Sequence, residues 1–164
     1  MHSTARRRWI AAGWAAAVVA TILNGLVVGW FAVYFQLFGE SADAEDHRVA
    51  AGGYGAAAGV LLLAVVGLLT HRLPRWLAGV ALAAAAGLGV LARGALETAR
   101  HAEPDPLPIN TVWDGIGGVL WTPWSWALIG LALHGLYAVA RGRRREGPAS
   151  ESPRSRDGHH PSRG

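Results

Sequence analysis

The stretch Trp9–Phe38, WIAAGWAAAVVATILNGLVVGWFAVYFQLF, decides the fold because it runs for 30 residues without an acidic or basic side chain. A helix rises about 1.5 Å per residue, so about 20 such residues already cross the roughly 30 Å hydrocarbon core of a bilayer. The stretch is too long for the apolar segment of a cleaved signal peptide, which covers roughly 7–15 residues. It therefore predicts a retained transmembrane helix that tilts or emerges at one side.

Three further apolar stretches follow, and each is long enough to cross a membrane. They cover about 49–70, 76–96 and 115–140, and the only charged residue inside them is Arg93. The connections between them are short, which suits neighbouring helices of an antiparallel bundle. The sequence thus predicts an all-α integral membrane protein with a four-helix transmembrane domain over residues 9–140.

The composition agrees with a membrane protein and excludes several kinds of site. All 15 basic residues are arginine, and alanine and glycine are abundant, a usage typical of membrane helices encoded by GC-rich bacterial genomes. The chain has no cysteine, which excludes disulfides, thiolate metal sites and redox-active cysteine pairs. Bacterial origin is an expectation from this usage.

The placement of charge predicts the side of the membrane on which each segment lies. If the N-terminus is cytoplasmic, 12 of the 15 arginines lie inside and 8 of the 11 acidic residues lie outside. Basic segments stay in the cytoplasm, and the opposite topology breaks this rule at all three cytoplasmic segments. We therefore expect an inner-membrane protein with both termini cytoplasmic, a basic N-terminus over 1–8 and a disordered arginine-rich tail over 141–164.

Local sequence signals mark the ends of the predicted helices. Gly39 suits the C-terminal cap of the first span, and Asp43 suits the N-terminal cap of the second. Pro74 is favoured in the first turn of the third span, where its missing N–H costs nothing. Thr111 and Asp114 have the spacing of a capping box before the fourth span.

Small residues recur at every fourth position on three spans. Such rows let helix backbones approach closely, which is how helices associate in lipid. One interpretation is homodimerisation through a row, and the other, which the alanine-rich composition favours, is ordinary packing within one bundle. The rows are Gly13, Ala17, Thr21, Gly25 and Gly29 on the first span, Ala51, Gly55 and Gly59 on the second, and Gly79, Ala83 and Gly87 on the third.

Polar residues inside the membrane are costly and therefore mark candidate functional positions. Asn24 and Ser125 fall at similar depths in antiparallel spans, so we expect a hydrogen bond between these two side chains. A transport path would use the same amide together with other polar groups. The candidate intramembrane polar site is Asn24, Gln36, Arg93, Glu97 and His134.

Arg93, Glu97 and Arg100 share one face of the third span because they are separated by four and three residues. This spacing predicts an ion-pair cluster at the outer interface. Alternatively, Arg93 extends to the lipid headgroups or meets Asp114 at the mouth of span four. The more specific interpretation is an anion-binding vestibule.

Three tryptophans, Trp121, Trp124 and Trp126, surround Pro123 in the fourth span. They lie deeper than an interfacial aromatic belt normally does, and the proline loosens the helix locally. They predict either a belt with ordinary packing, which we favour, or an aromatic pocket for a lipid tail, a quinone or a cation.

The histidines form two nominal pairs for ligating a haem, His71 with His134 and His47 with His101. His71 ends its span whereas His134 precedes Arg141 by seven residues, so we expect the first pair to differ in depth by roughly 10 Å. Axial ligands of one haem are nearly level, so the sequence predicts no bound cofactor.

The function predicted best is that of a non-enzymatic accessory subunit that packs against a partner in a membrane complex. No nucleophile elbow, phosphate-binding loop or zinc-protease motif is present, so no catalytic or metal-binding residue is predicted. The expected partners are the bilayer, anionic headgroups contacted by the arginine-rich tail, and a protein partner or second copy, but not nucleic acid. The alternatives are a small, dimeric transporter or channel and, third, a membrane enzyme or haem carrier.

Overall fold

The computed structural model describes residues 2–34, 42–104 and 110–145, and these residues form helices and short connections without a strand. Four of the helices contain apolar segments of 20 to 27 residues that are long enough to cross a membrane. The predicted all-helical, multi-pass membrane protein is thereby confirmed. The helices are α1 His2–Tyr34, α2 Ala44–Thr70, α3 Arg75–Ala99, α4 Val112–Leu120 and α5 Pro123–Arg145.

The helices extend beyond the apolar spans at several ends. α1 begins at His2 and α5 continues to Arg145, so the first five residues of the predicted disordered tail are helical. Arginine is a good helix former, so the arginines after Ala140 allow the helix to continue beyond the apolar segment. Gln36, Gly39 and the rest of the tail, 146–164, lie outside the described residues.

The predicted caps at two helix starts are confirmed. The Asp43 carboxylate accepts hydrogen bonds from the N–H groups of Glu45 at 2.8 Å and Asp46 at 2.9 Å. The Asp114 carboxylate accepts from the Thr111 N–H at 2.6 Å, so it reaches back to the cap of α4. These contacts satisfy backbone donors that the first helical turn leaves without partners.

The predicted fourth span is two helices rather than one. α4 ends at Leu120 and α5 starts at Pro123, so the prediction of a continuous helix over 115–140 is wrong. Proline has no N–H to donate to the carbonyl four residues earlier, and its ring clashes with that carbonyl. The chain therefore breaks immediately before the proline.

α2 is the central helix because each of the four others packs more extensively against α2 than against any other helix. In its most apolar window 56% of the residues are buried, compared with 22–33% in the other three spans. The core of buried side chains runs along α2 through Leu61 and Leu68, with Val18 from α1, Leu77 from α3 and Leu128 from α5.

Glycines let α2 touch its neighbours backbone to backbone. A Cβ built on Gly115 of α4 would collide with the carbonyl oxygen of Val49 on α2. A Cβ built on Gly25 of α1 would lie 2.5 Å from the Cβ of Ala57. Small residues thus set the distance between α2 and the helices around it, as in other membrane proteins.

The turn between α2 and α3 is a Schellman motif with arginine in the position that usually holds glycine. The Leu73 N–H donates to the Leu68 carbonyl at 3.1 Å, and the Arg72 N–H donates to the Leu69 carbonyl at 3.2 Å. Arg72 has φ 53°, the left-handed conformation that this motif requires. A side chain there costs roughly 1 kcal/mol relative to glycine. Pro74 lies just before α3, at its N-terminal cap.

Candidate functional site

Two hydroxyl groups repair the backbone at the break between α4 and α5. Pro123 has no N–H to donate to the Val119 carbonyl. This carbonyl instead accepts hydrogen bonds from the Thr122 hydroxyl at 2.7 Å and the Ser125 hydroxyl at 3.0 Å. Ser125 is fully buried, so its hydroxyl replaces the missing N–H away from water. Ser125 therefore stabilises the break.

Asn24 has the corresponding role at Gly118, the residue before Val119. Its Nδ2 donates to the Gly118 carbonyl at 2.9 Å, which is one of the last carbonyls of α4. The predicted hydrogen bond between Asn24 and Ser125 is therefore replaced by two separate bonds to adjacent carbonyls. The cause is the helix break, which sequence spacing alone did not reveal and which leaves carbonyls that need donors.

We expect Asn24→Leu to lower the free energy of unfolding by about 1 kcal/mol, because the Gly118 carbonyl loses its donor inside the membrane. Unfolding in mixed micelles of increasing SDS content, followed by circular dichroism, measures this change. Asn110→Leu is the matched control, because Asn110 is exposed in the loop before α4. Equal stability of the two variants would contradict this role.

The predicted ion-pair cluster on α3 forms without Arg93. The Glu97 carboxylate contacts Arg100 at 2.8 Å and His101 at 3.7 Å. No carboxylate of the described residues lies within 4.0 Å of the Arg93 guanidinium. Asp114, the alternative partner, is bound to Thr111. Glu97 thus pairs with Arg100, which follows it, and not with Arg93, which precedes it.

The three tryptophans of the predicted aromatic pocket have different surroundings. Trp121 and Trp126 are 87% and 59% exposed, as expected for side chains that face lipid. The Trp124 ring is partly buried, and its indole N–H has no hydrogen-bond partner among the described residues. Ligand binding by these residues stays a prediction.

His71 and His134 lie in direct contact, so the expected 10 Å difference in depth is wrong. His134 Nδ1 and His71 Nε2 are 3.3 Å apart, and the two rings are nearly parallel with centroids 5.1 Å apart. Residue counts from the ends of two spans do not give relative depth here, because α2 ends at Thr70 whereas α5 continues beyond His134 to Arg145. A haem placed between axial ligands cannot fit between nitrogens in such contact.

Glycines of α2 and α5 bring the two histidines together. A Cβ on Gly67 would lie 2.9 Å from the backbone nitrogen of Ala132, and one on Gly135 would collide with the Thr70 hydroxyl. These two glycines lie within four residues of His71 and His134, respectively. The imidazoles meet because the helix backbones approach closely beside them.

The rows of small residues differ in whether another helix of the chain covers them. The α1 row is largely covered, whereas glycines of the α2 and α3 rows are open. On α1, Gly25 and Gly29 face Ala57 and Tyr54 of α2, so this part of the row packs inside the bundle as expected, whereas Gly13 is exposed and open. On α2, a Cβ built on Gly55 or Gly59 would meet nothing within 4 Å, and both glycines line an apolar groove of about 440 Å³ beside α4 and α5.

The row on α3 faces away from the rest of the described chain. α3 buries Leu77, Ala81, Ala85 and Leu88 against the core. Between Gly79 and Gly94 its opposite side carries small, exposed residues around Val90, which is 72% exposed. A Cβ built on any glycine of that side would meet nothing within 4 Å. We call this side the small face of α3, which consists of Gly79, Ala83, Ala86, Gly87 and Gly94 with Val90 in its middle.

Large apolar side chains cover the outward sides of α1 and α5, and on α3 they lie mainly on the two flanks of the small face. The large exposed residues include Trp30 and Leu23 on α1 and Trp126 and Leu133 on α5, each at least 51% exposed. Large side chains suit contact with lipid, whereas a row of glycine and alanine suits contact with another helix. The small face of α3 is therefore the candidate interaction site.

The described residues of the candidate polar site do not come together, and Gln36 lies outside the described part of the chain. Asn24 contacts α4, His134 contacts the end of α2 roughly 20 Å away, and Arg93 is exposed on α3. Within the described ranges no three histidine, aspartate or glutamate side chains are grouped so that they could hold a metal ion. No family model, curated protein or solved structure matches the chain.

Proposed function

We propose that the chain is a non-enzymatic protein of the bacterial inner membrane that binds another transmembrane helix along the small face of α3. The observation that supports this proposal is the cluster of exposed glycine and alanine on this face, where Val90 is the one large side chain among five small residues. Helices in lipid gain little from burying apolar surface, since lipid is itself apolar, and associate where small residues allow close contact. Five small residues on one outward face provide such a surface.

The proposed topology is an antiparallel bundle with both termini in the cytoplasm. Its support is the separation of charge between the two ends of the helices. The described acidic residues lie where α2 and α4 start and α3 ends, whereas Arg8, Arg72, Arg75 and Arg141 lie near the opposite ends. Alkaline phosphatase fused after Arg145 should be inactive, and an active fusion would contradict the topology.

Single cysteines test the interface directly, because the chain has none of its own. We expect Ala83→Cys to form a disulfide-linked dimer in oxidised membranes if the partner is a second copy. With a photoreactive amino acid at position 83, a different membrane protein would give a specific adduct instead. Val19→Cys on the bulky face of α1 is the control. Adducts with lipid alone at position 83 would overturn the proposal.

A larger side chain on the small face should prevent assembly without harming the fold. We expect Gly87→Ile to reduce the recovered complex about tenfold, equivalent to about 1.4 kcal/mol. The monomer should fold as before, since nothing lies within 4 Å of a Cβ at Gly87. Gly130→Ile, at an equally open position on α5, is the matched control. Equal recovery of both complexes would contradict the proposed interface.

A further inference from the structure

Arginine and histidine side chains gather at the end of the bundle where α2 finishes. Arg72 and Arg75 lie in and after the α2–α3 turn, and Arg141 lies on α5 beyond His134. No carboxylate of the described residues forms an ion pair with these arginines. The positive charge of this end is therefore left for a ligand or for the membrane surface.

The histidine pair provides further hydrogen-bonding groups at the same place. One nitrogen of each ring is used in the contact between His71 and His134. The remaining nitrogens, His71 Nδ1 and His134 Nε2, make no hydrogen bond to the described residues. Each can donate to an anionic oxygen in the appropriate tautomer.

A cavity of about 850 Å³ joins part of this polar group to an apolar wall, whereas His134 and Arg141 line a separate pocket. His71 and Arg72 line the polar end of the cavity, and Ile10, Trp14 and Leu131 line the rest together with Leu73. Arg72 also lines a neighbouring depression with Arg75. A guanidinium next to an apolar wall suits a ligand that is anionic at one end and apolar at the other.

The backbone at Arg72 supports a role for this side chain. The left-handed position of a Schellman motif is normally glycine, and here an arginine occupies it with φ 53°. Residues held in unfavourable backbone conformations concentrate at binding sites. The turn places the arginine where two cavities meet.

We propose that this cavity binds an anionic phospholipid. The phosphate contacts Arg72 and His71, whose ring is positioned by its contact with His134, and an acyl chain lies along Ile10, Trp14 and Leu131. The site is separate from the small face of α3, so the lipid proposal and the proposed assembly are tested independently. Arginine recognises phosphate through several directed hydrogen bonds, and the surrounding arginines disfavour a metal cation at the two histidines.

Native mass spectrometry of the full chain in detergent tests the proposal with three probes. These are dioleoylphosphatidylglycerol, the zwitterionic dioleoylphosphatidylcholine and inorganic phosphate. We expect phosphatidylglycerol to bind about tenfold more tightly than phosphatidylcholine, because the choline cation offsets the phosphate charge. Equal retention of both lipids would overturn the proposal.

Arg72→Gly is the decisive variant because it removes the guanidinium while relieving the left-handed strain. The variant should fold at least as well as the parent and bind phosphatidylglycerol about tenfold more weakly. Arg100→Gly, which removes an exposed arginine at the opposite end of α3, should bind like the parent. Unchanged binding by Arg72→Gly would contradict the site.

Trp14→Ala distinguishes a lipid from a soluble phosphate compound. Loss of the apolar wall should weaken the binding of phosphatidylglycerol. It should not change how well inorganic phosphate competes with the lipid for the site. Displacement of the lipid by inorganic phosphate, together with full lipid binding by Trp14→Ala, would show that the site takes soluble phosphate and would overturn the lipid proposal.

Discussion

Gly115→Val should abolish folding, with a loss of at least about 3 kcal/mol from the free energy of unfolding. The Cβ would collide with the Val49 carbonyl oxygen and lie 2.9 Å from the Gly53 nitrogen. Both neighbours are backbone atoms of α2, the central helix, so no side-chain rotation relieves the collision. The variant can fold only if α4 moves away from α2.

Gly117→Val on the same helix is the matched control for this prediction. A Cβ at Gly117 meets only the Trp121 ring at 3.4 Å, which is ordinary contact. Both variants carry the same loss of helix propensity from a β-branched residue, so the difference between them isolates the collision with α2. Folded protein is measured as the monodisperse fraction recovered from membranes in mild detergent. Comparable recovery of the two variants would refute the close α2–α4 contact.

Gly67→Val should have the second largest effect, because it separates α5 from α2 beside the histidine pair. The Cβ would lie 2.9 Å from the Ala132 nitrogen and 3.0 Å from the Leu131 carbonyl carbon. We expect a loss of about 2–3 kcal/mol, typical of an overpacked helix contact, together with loss of the contact between His71 and His134.

Gly59→Val is the control on the same helix, since nothing lies within 4 Å of a Cβ there. SDS unfolding compares the stability of the two variants. The change in helix distance is measured with spin labels on His71→Cys and His134→Cys, introduced together into each background. A short label distance retained in the Gly67→Val background would contradict the proposed packing.

The features that were predicted from sequence depend on local chemistry. The caps at Asp43 and Asp114 follow from residues no more than three positions away. The membrane-crossing segments follow from the length of uncharged sequence, because lipid penalises charge wherever it lies along the span. These predictions needed no knowledge of neighbouring helices.

The features that were missed depend on which helices touch and at what level. Pro123 predicts only a local loosening of the helix, whereas the complete break and its repair by Ser125 and Asn24 depend on donors reaching particular carbonyls. The contact between His71 and His134 depends on the relative offset of α2 and α5. Counting residues along separate spans does not measure that offset.

Length, polarity and charge along the chain were sufficient to establish a helical protein with four membrane-crossing segments, because each segment meets the bilayer on its own. Small residues are common throughout the chain, and sequence spacing treats the rows on α1 and α3 alike. Packing separates them: α2 covers Gly25 and Gly29 of the α1 row, whereas Gly79 and Gly87 of the α3 row remain open. The reason is that close contact between helices is a property of pairs of surfaces, which no single span contains.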